Sequence, residues 1–327
     1  MFTANLDFIL VLTSNQYYMQ KMKAAVCRQY GAPEVLQIQE VKKPVCRNDE
    51  ILVRIMASSV NSGDVKLRSL AVSGLQKIVM QMVLGFSRPR RSVLGMVYAG
   101  MVVDTGKKVS RFKVGDRVFG MTGFSFGAYA EYINVKENSI VLTMPANAGF
   151  EQAAALPFGW HTAIYFFEKA GINASKRASI LVYGASGSVG TAAVQLAHYF
   201  NAELTSVCSS AGKDLLQGLG ATSIICYDQE DFTQCQKKFD LVFDAVGKIS
   251  RQSCKHLLNQ GGRFVTVGGL DMAGQKLSHL QLIRELFEKG KCQAVIDKVY
   301  PFNEIVAANR YVDSGKKKGN VVLLLNE

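Results

Sequence analysis

The sequence predicts an α/β protein in two parts, a small β-barrel and a doubly wound parallel sheet. Short β-like runs separated by glycine and turn residues extend from Met22 to about Pro145, a pattern typical of a small barrel. From about Ala146 the pattern becomes an apolar strand, a glycine turn and an amphipathic helix, repeated several times, which favours a parallel sheet. The last strand-like run, 320–325, resembles the barrel segment. We therefore expect the parallel-sheet domain to be inserted into the barrel domain.

The chain is long enough for two hydrophobic cores, because 327 residues with 48% hydrophobic residues exceed the size at which one core stops growing. We expect residues 22–145 and 288–327 to form the barrel domain and residues 146–287 to form the parallel-sheet domain. Residues 1–21 contain an apolar run that is too short to span a bilayer and lacks a cleavage site, so they are predicted to be a disordered extension.

Individual elements follow from the spacing of the apolar residues. Barrel strands are predicted at 24–27, 51–57, 97–103, 117–119 and 130–135, with a helical insertion between Leu70 and Val83. Strands of the parallel sheet are predicted at 179–183, 203–208, 223–226, 241–244 and 263–267, followed by a helix at 280–288. The Gly115-Asp116 dipeptide, between two barrel strands, predicts a tight hairpin turn.

The chain carries a net charge of +12, which favours anionic partners such as phosphates or acidic metabolites. Its basic clusters, among them 316–318, are not interleaved with the aromatic residues that stack on single-stranded nucleic acid. We interpret these clusters as solvated surface and expect neither a nucleic-acid nor a membrane partner. The seven cysteines form no CxxC pair and are expected to be reduced thiols in the cytoplasm.

The clearest chemical signal is a glycine-rich turn between a strand and a helix. The apolar strand 179–183 runs directly into Gly184, Gly187 and Gly190, and an amphipathic helix follows. Glycines at this spacing let a backbone approach a diphosphate, and the start of the helix offers free N–H groups and the positive end of its dipole. Because strand, turn, helix and next strand fall where a βαβ unit requires them, the segment predicts a dinucleotide site.

The residues at the end of the second strand of this unit favour NADPH over NADH. A site for NAD places an acidic residue there to bind the ribose hydroxyls, whereas this chain has Ser209 and Ser210. Hydroxyl groups do not repel a 2′-phosphate, and Lys213 is close enough along the chain to add a positive charge. The alternative for Lys213 is an ordinary lysine on a helix surface.

Several sequence blocks occur together and in order: MKAAVCRQYGAPEVLQ, SSVNSGDVKLRS, RFKVGDRVFG, GAYAEYINV, EQAAALPFGWHTAI, GASGSVGTAAVQLA, FDLVFDAVG, GGRFVTVGG and KKKGNVVLLL. With these blocks the sequence resembles the zinc-independent medium-chain dehydrogenase/reductases, which include quinone oxidoreductases, zeta-crystallin and the enoyl reductase modules of polyketide synthases. The resemblance extends from Met22 to Leu325. It implies a GroES-like catalytic barrel joined to a Rossmann domain, with the nicotinamide ring in the cleft between them.

The resemblance also implies which residues bind the cofactor. Carried over by position, they are Asn61, Thr162, Gly184, Gly187, Ser188, Val189, Ser209, Ser210, Lys213, Tyr227, Val246, Gly247, Gly268, Gly269 and Asn320. Asn61 and Thr162 would approach the nicotinamide end, the glycine turn the diphosphate, and Tyr227 the adenosine side. For each residue alone, an ordinary role in a turn or in packing is the alternative.

Zinc is not expected, because the residues at the ligand positions of zinc-dependent relatives do not suit it. At those positions this chain has Ser62, Met96-Val97 and Phe158, and none of these side chains is a good zinc ligand. Residues 121–127 take the place of the four-cysteine lobe of those relatives and contain no cysteine. The four histidines are interpreted as structural.

Without a metal, the resemblance implies direct hydride transfer from the nicotinamide to a small electrophile, a quinone or an α,β-unsaturated carbonyl. The protein then has to supply a donor for the oxygen that gains charge, and Tyr98 and Asp64 are candidate catalytic residues by their location in the barrel. The alternative function is a redox-silent, zeta-crystallin-like protein that binds NADPH and interacts with RNA, and a third is a membrane-surface protein that uses the basic tail. The resemblance implies a homodimer, although the segment between Gly269 and Leu280 is short for the strand that pairs across such a dimer.

Overall fold

The computed structural model describes residues 20–71, 74–175, 177–269, 271 and 273–325. Residues 1–19, most of the predicted disordered extension, lie outside the described residues, whereas Lys21 already belongs to the first strand. Among the helices in the described ranges, none is both long and apolar enough to cross a lipid bilayer.

The described chain has mainly strands before residue 150 and mostly alternating helices and strands after it. The strands are β1 (Lys21–Cys27), β2 (Leu36–Lys42), β3 (Glu50–Val60), β4 (Val97–Thr105), β5 (Arg117–Met121), β6 (Tyr132–Lys136), β7 (Val141–Thr143), β8 (Ser179–Tyr183), β9 (Glu203–Cys208), β10 (Ile224–Cys226), β11 (Phe239–Asp244), β12 (Leu258–Thr266), β13 (Ile296–Pro301) and β14 (Asn320–Leu324). The α-helices are α1 (Ser62–Ser69), α2 (Gly74–Leu84), α3 (Phe150–Lys169), α4 (Ser188–Tyr199), α5 (Lys213–Gly218), α6 (Arg251–Cys254), α7 (Leu277–Glu288) and α8 (Ile305–Asp313).

The barrel domain is built on a sheet of seven strands in the order β13-β14-β3-β4-β5-β7, with β6 also paired to β3. The antiparallel hairpin of β1 and β2 is joined to it by an isolated bridge between Ala24 and Ala130. β14, near the end of the chain, lies antiparallel to β3. Val53, Ile55 and Val102 point into an interior where they are at most 1% exposed. The parallel-sheet segment therefore lies between two stretches of barrel sequence.

The second sheet has five parallel strands in the order β10-β9-β8-β11-β12. Its central strands are apolar on both faces because helices cover both sides, and Ile180, Leu181, Leu241 and Val242 are fully buried. β8 comes first in the chain and lies between β9 and β11, so the strand order reverses beside it. Ligands bind at such a switch point, beyond the carboxyl ends of the strands. The predicted α/β fold, a barrel beside a doubly wound sheet, is confirmed.

Helix α3 connects the two domains, and apolar spacing alone does not predict it. It packs against β3 and β4 of the barrel and against α4 and α7 of the other domain. Pro157 and Gly159 lie inside it, and both residue types disfavour a helix interior. Gly159 is needed for packing, because a Cβ there would lie 2.3 Å from the backbone oxygen of Ser188 at the start of α4.

Two local predictions differ from the structure. The two-residue hairpin at Gly115-Asp116 is wrong: β4 ends at Thr105, and a longer loop precedes β5. Gly115, with φ of +94°, does form a turn, in which the Asp116 N–H donates to the Lys113 backbone oxygen at 3.1 Å. The helical insertion predicted between Leu70 and Val83 is present as α2.

Candidate active site

A cleft of about 500 Å³ lies between the two domains, next to the carboxyl ends of β8 and β11. Its size is within the range of about 300–1,000 Å³ that is typical of small-molecule sites. Residues that line it include Ser62, Lys66, Met80, Met96, Met121, Phe124, Phe158, His161, Thr162, Gly187, Ser188, Val189, Val246, Lys248, Gly269, Asp271 and Lys317. The walls of this cleft are formed by the barrel domain, α3, the parallel-sheet domain and the C-terminal segment.

The three glycines of the turn after β8 have different roles. Gly184 has φ of +75°, and a Cβ on it would lie 2.0 Å from Val246 Cγ2. A Cβ on Gly190 would lie 2.2 Å from the Gly184 backbone oxygen, so this glycine lets the turn pack against α4. Gly187 is the N-cap of α4, it makes no side-chain cap, and an added Cβ would be 3.6 Å from the nearest atom. Gly187 therefore has free space beside it and lies at a helix N-terminus, where N–H groups lack intrahelical acceptors. Binding of a diphosphate requires both features.

The segment before β14 lies against this glycine turn. The Gly319 N–H donates to the Ser186 backbone oxygen at 2.8 Å, and Gly187 and Gly319 form an isolated parallel bridge. The Lys317 ammonium donates to Ser188 Oγ at 2.5 Å and to the Gly319 backbone oxygen at 2.9 Å. Burial lowers the pKa of Lys317 to about 8. The interpretation of this lysine as solvated surface is wrong, since its amine lies beside the start of α4.

Asp244, at the end of β11, organises the opposite wall of the cleft. Its fully buried carboxylate accepts the N–H groups of Val246 at 3.1 Å and Gly247 at 2.8 Å. A Cβ on Gly247 would lie 2.7 Å from Gly268 Cα, so the loops after β11 and β12 touch through two glycines. This contact places Val246 and Gly269 in the cleft wall.

The residues predicted to bind a 2′-phosphate lie at the end of β9 and are not among the cleft-lining residues. Ser209 precedes a short 3₁₀ turn, and Lys213 begins α5. Ser210 donates its N–H and its hydroxyl to the Asp228 carboxylate, at 2.8 and 2.6 Å. These hydrogen bonds lower the pKa of Asp228 and keep it ionised. The sequence analysis missed this carboxylate because Asp228 follows β10, not β9.

Two further predicted cofactor residues, Tyr227 and Asn320, are not among the residues that line the cleft. The ring of Tyr227 is 48% exposed and faces Tyr183, with centroids 5.8 Å apart and planes at 31°. Asn320 is buried at the start of β14, where its side-chain amide donates to the Val295 backbone oxygen at 2.9 Å. Tyr227 offers an aromatic platform, whereas Asn320 anchors the strand that carries the C-terminal segment.

On the barrel side, one half of a capping box, the hydrogen bonds that Asp64 accepts from Asn61, fixes the first turn of α1. The Asp64 carboxylate accepts the Asn61 N–H at 3.1 Å and the Asn61 side-chain amide at 3.2 Å. That amide also donates to Ser59 Oγ at 3.2 Å, while Asn61 Oδ1 has no hydrogen-bond partner within the described part of the chain. Burial raises the pKa of Asp64 to about 7, against the lowering effect of the hydrogen bonds from Asn61. The box orients α1 so that Ser62 and Lys66 line the cleft.

The two predicted catalytic candidates do not line the cleft. Tyr98 is fully buried in the barrel core, where burial raises its pKa far above the usual range. Its hydroxyl points toward Gly120, since a Cβ on that glycine would lie 2.8 Å from Tyr98 Oη. Asp64 is 1% exposed and is occupied by the cap. Lys66, which was not singled out from the sequence, does line the cleft and brings a cation to it.

The residues at the zinc-ligand positions of zinc-dependent relatives come together in this cleft. Ser62, Met96 and Phe158 all line it, while Val97 is buried in β4. A hydroxyl, a thioether and a phenyl ring do not make a zinc site. In the residue ranges that the structure describes, no three His, Cys, Asp or Glu side chains form a cluster able to hold a metal ion. Zinc independence remains a prediction that rests on these side chains.

A histidine pair connects α3 to α7, and one of its members, His161, lines the cleft. The rings of His161 and His279 lie 4.6 Å apart. His161 Nε2 accepts the Lys276 N–H at 2.9 Å, and His279 Nε2 lies 3.1 Å from Glu168 Oε1. Burial, and then the neighbouring histidine, lower the pKa of His161 to about 4, so the ring is neutral at pH 7. These contacts fit the structural role that the sequence suggests for both histidines.

The structure brings only part of the predicted cofactor set into the cleft. The predicted residues that line it are Thr162, Gly187, Ser188, Val189, Val246 and Gly269. The residues that support its walls from behind are Asn61, Gly184, Gly247 and Gly268. Those at the ends of β9 and β10 are Ser209, Ser210, Lys213 and Tyr227. Lys66, Asp228 and Lys317 are additions to the cofactor set predicted from the sequence.

Models of known families match both domains. The alcohol dehydrogenase GroES-like domain matches residues 47–146, and the zinc-binding dehydrogenase domain matches residues 188–290 and 271–323. The 2-methylene-furan-3-one reductase of Solanum lycopersicum is 35% identical over 321 residues, covering 93% of this chain and 79% of the relative. The chain belongs to the medium-chain dehydrogenase/reductase family.

Other members of the medium-chain dehydrogenase/reductase family are similar over nearly the whole chain. The chloroplastic NADPH-dependent alkenal/one oxidoreductase of Arabidopsis thaliana is 29% identical over 331 residues, covering 95% of this chain and 82% of the relative. The structure of a quinone oxidoreductase from Coxiella burnetii matches with a TM-score of 0.80 at 24% identity, covering 94% of this chain and 100% of that one, which shows the fold alone. The predicted resemblance to quinone oxidoreductase-like medium-chain dehydrogenase/reductases is confirmed.

Proposed function

We propose that the protein is an NADPH-dependent reductase that transfers hydride, without zinc, to an α,β-unsaturated carbonyl compound or a quinone. The observation that carries this proposal is the composition of the cleft. One end has a glycine turn, an uncapped helix N-terminus and Lys317, and the other has an apolar wall whose described residues include no set of zinc ligands. Two relatives support the same class of reaction, since they are named as a furanone reductase and an alkenal/one oxidoreductase.

The residues of the cleft fit a dinucleotide. Gly187 leaves room at the N-terminus of α4, and the Lys317 amine makes its two hydrogen bonds to neutral oxygens, so an anion would be stabilised there. Thr162 and Val246 would face the nicotinamide half. The Tyr227 ring at the end of β10 would support the adenosine half.

NADPH, when bound, supplies the hydride. The chain's own residues orient the acceptor and stabilise its charge. Met96, Met121, Phe124 and Phe158 form an apolar wall that excludes water and suits a conjugated acceptor. Lys66, an exposed residue that lines the cleft, would donate to the acceptor oxygen as negative charge develops on it.

The proposal is tested by an acceptor screen with NADPH and NADH in parallel. Enones and quinones are expected to support steady oxidation of NADPH. Matched saturated aldehydes and ketones are the control, and they should not react because they lack the conjugated β-carbon to which the proposed hydride transfer is directed. Turnover of the saturated compounds, or none of the conjugated ones, would contradict the proposal.

Replacing Lys66 with methionine is expected to lower kcat for an enone by about 10²-fold, because loss of one donor to a developing oxyanion costs about 10²–10³-fold. The Kd of NADPH, measured by its fluorescence, should not change. Lys66→Arg keeps the charge and should recover part of the rate. Lys107→Met, at an exposed loop position, is the control. A wild-type kcat in Lys66→Met would show that another group stabilises the oxygen.

Replacing Asp228 with asparagine is expected to increase the preference for NADPH over NADH. The carboxylate that holds Ser210 repels a 2′-phosphate, and a unit charge about 4 Å away in water contributes about 1 kcal/mol, or roughly fivefold. KM for NADPH should fall by about this factor, while KM for NADH stays constant. Asp231→Asn, another exposed acidic position, is the control. An equal change for both cofactors would place Asp228 away from the 2′-phosphate.

Location and assembly also remain proposals. A cytoplasmic location is favoured by the seven cysteines, all of which are free thiols. For the homodimer, no strand follows β12 before α7 in the part of the chain that the structure describes. A dimer would therefore have to use a contact other than pairing of such a strand.

A further inference from the structure

Lys317 differs from its two neighbours in the basic run 316–318. Lys316 is exposed, whereas the Lys317 side chain folds inward and lines the cleft. Its ammonium donates to Ser188 Oγ at 2.5 Å and to the Gly319 backbone oxygen at 2.9 Å. Both acceptors are neutral. A cation is thus held at the first turn of α4 without a hydrogen-bonded counter-ion.

This placement is electrostatically unfavourable in the absence of a ligand. The N-terminus of an α-helix carries a partial positive charge, which repels an ammonium and attracts an anion. Asp297 is the acidic group that favours the charged form of Lys317, but its carboxylate already accepts the Tyr311 hydroxyl at 2.7 Å and the Lys318 N–H at 2.8 Å. The helix end and the lysine together favour an anion in the space beside Gly187.

We propose that the Lys317 ammonium is the charge partner of the dinucleotide diphosphate, and that the protonation of this amine controls how tightly the dinucleotide binds. The inference rests on the proposed function, because it requires a nicotinamide dinucleotide in the cleft. It assigns part of the diphosphate binding to a side chain, whereas the glycine turn alone would bind the diphosphate through backbone amides.

A pH dependence with a definite sign follows. In the free protein, desolvation brings the pKa of Lys317 down to about 8. A diphosphate beside the amine would favour the charged form and raise that pKa. We therefore expect the affinity of the protein for the dinucleotide to be constant below about pH 7.5. Above pH 8 it should weaken by up to about tenfold per pH unit, because the amine must then take up a proton on binding.

Other ionisable groups near Lys317 have to be considered in that pH range. The ionisable groups that share its cleft are Lys66, Lys248, Asp271 and His161, and burial lowers the pKa of His161 to about 4. Tyr311, behind Asp297, has its pKa raised to about 12 by burial and by the hydrogen bond to Asp297. The pKa of Asp271 is lowered by Lys169. Tyr311 and Asp271 therefore keep their charge state between pH 7 and 9.5.

The experiment measures the Kd of NADPH and of NADH by fluorescence between pH 7 and 9.5 in the full-length protein. Lys317→Met is expected to bind both cofactors about 10- to 100-fold more weakly at pH 7, the usual effect of losing a charge-assisted hydrogen bond, and to show no pH dependence near 8. Lys317→Arg should bind tightly across the whole range, because a guanidinium stays charged. Lys316→Met should reproduce the wild-type curve.

The outcomes distinguish this inference from the proposed function. Weaker binding confined to NADPH would move Lys317 from the shared diphosphate to the 2′-phosphate and overturn the inference. So would a Lys317→Met protein with wild-type affinity, or one that keeps the decline above pH 8. Melting temperatures of the variants without cofactor show whether weaker binding comes from misfolding. If Lys317→Met is misfolded, the comparison of Lys317→Arg with the wild type tests the pH dependence. If the wild type binds neither cofactor, the proposed function itself fails.

Discussion

Replacing Gly187 with aspartate is expected to abolish NADPH binding while leaving the free protein at least as stable as the wild type. Gly187 has φ of −81° and ψ of 178°, which any residue adopts, and an added Cβ would meet its nearest atom only at 3.6 Å. Aspartate is a better N-cap than glycine by a few tenths of a kcal/mol. The same carboxylate would occupy the space for the diphosphate and pair with Lys317.

The loss of affinity is expected to be large. Two unit charges about 4 Å apart in a partly buried site repel by about 4 kcal/mol, or about 10³-fold in Kd. Gly187→Ser is the matched control, since it caps the helix without charge and should weaken binding far less. Fluorescence titration and thermal melting measure the two effects separately. Gly187→Asp protein that binds NADPH normally would place the diphosphate elsewhere.

The second large effect is expected at the ion pair between a buried arginine and a partly exposed aspartate that holds α1 against α8. Arg68 is 1% exposed, and it donates to Asp313 Oδ2 at 2.5 Å and to the Gly31 backbone oxygen at 2.6 Å. Removing Asp313 leaves a buried guanidinium without its counter-ion, which costs about 3–5 kcal/mol. Asp313→Ala should therefore lower the free energy of unfolding by about this amount.

The opposite substitution is the informative comparison. In Arg68→Met the remaining Asp313 side chain is 32% exposed and can be hydrated, so the loss should be smaller than in Asp313→Ala. Urea denaturation followed through the single tryptophan, Trp160, which is 3% exposed, compares the two variants. The reverse order of stability would mean that the guanidinium is stabilised mainly by groups other than Asp313.

The features predicted from the sequence are those encoded over short distances. The strand 179–183 and the three glycines that follow it need only a βαβ unit to explain their spacing, and the structure has β8, the turn and α4 there. The end of the chain was correctly predicted to return to the barrel, because its apolar run resembles the earlier barrel strands.

The features that the sequence could not predict depend on contacts between distant residues. Lys317 lies in a run of three lysines that is typical of a solvated surface, and it is half-buried because its segment meets Ser188, 129 residues earlier. Asp228 meets Ser210 across 18 residues and a strand. Tyr98 lies on the expected strand, but its side chain points into the barrel core. Residue type and spacing do not determine which way a side chain points or which distant residue it meets.

The central claim is that hydride passes from a nicotinamide cofactor, held at the start of α4, to an organic acceptor without zinc. The most direct measurement uses protein treated exhaustively with a chelator, NADPH carrying deuterium at the transferred position, and an enone. The account predicts undiminished turnover and one deuterium at the β-carbon of the product, detected by mass spectrometry. Loss of turnover that zinc restores, or a product without deuterium, would contradict it.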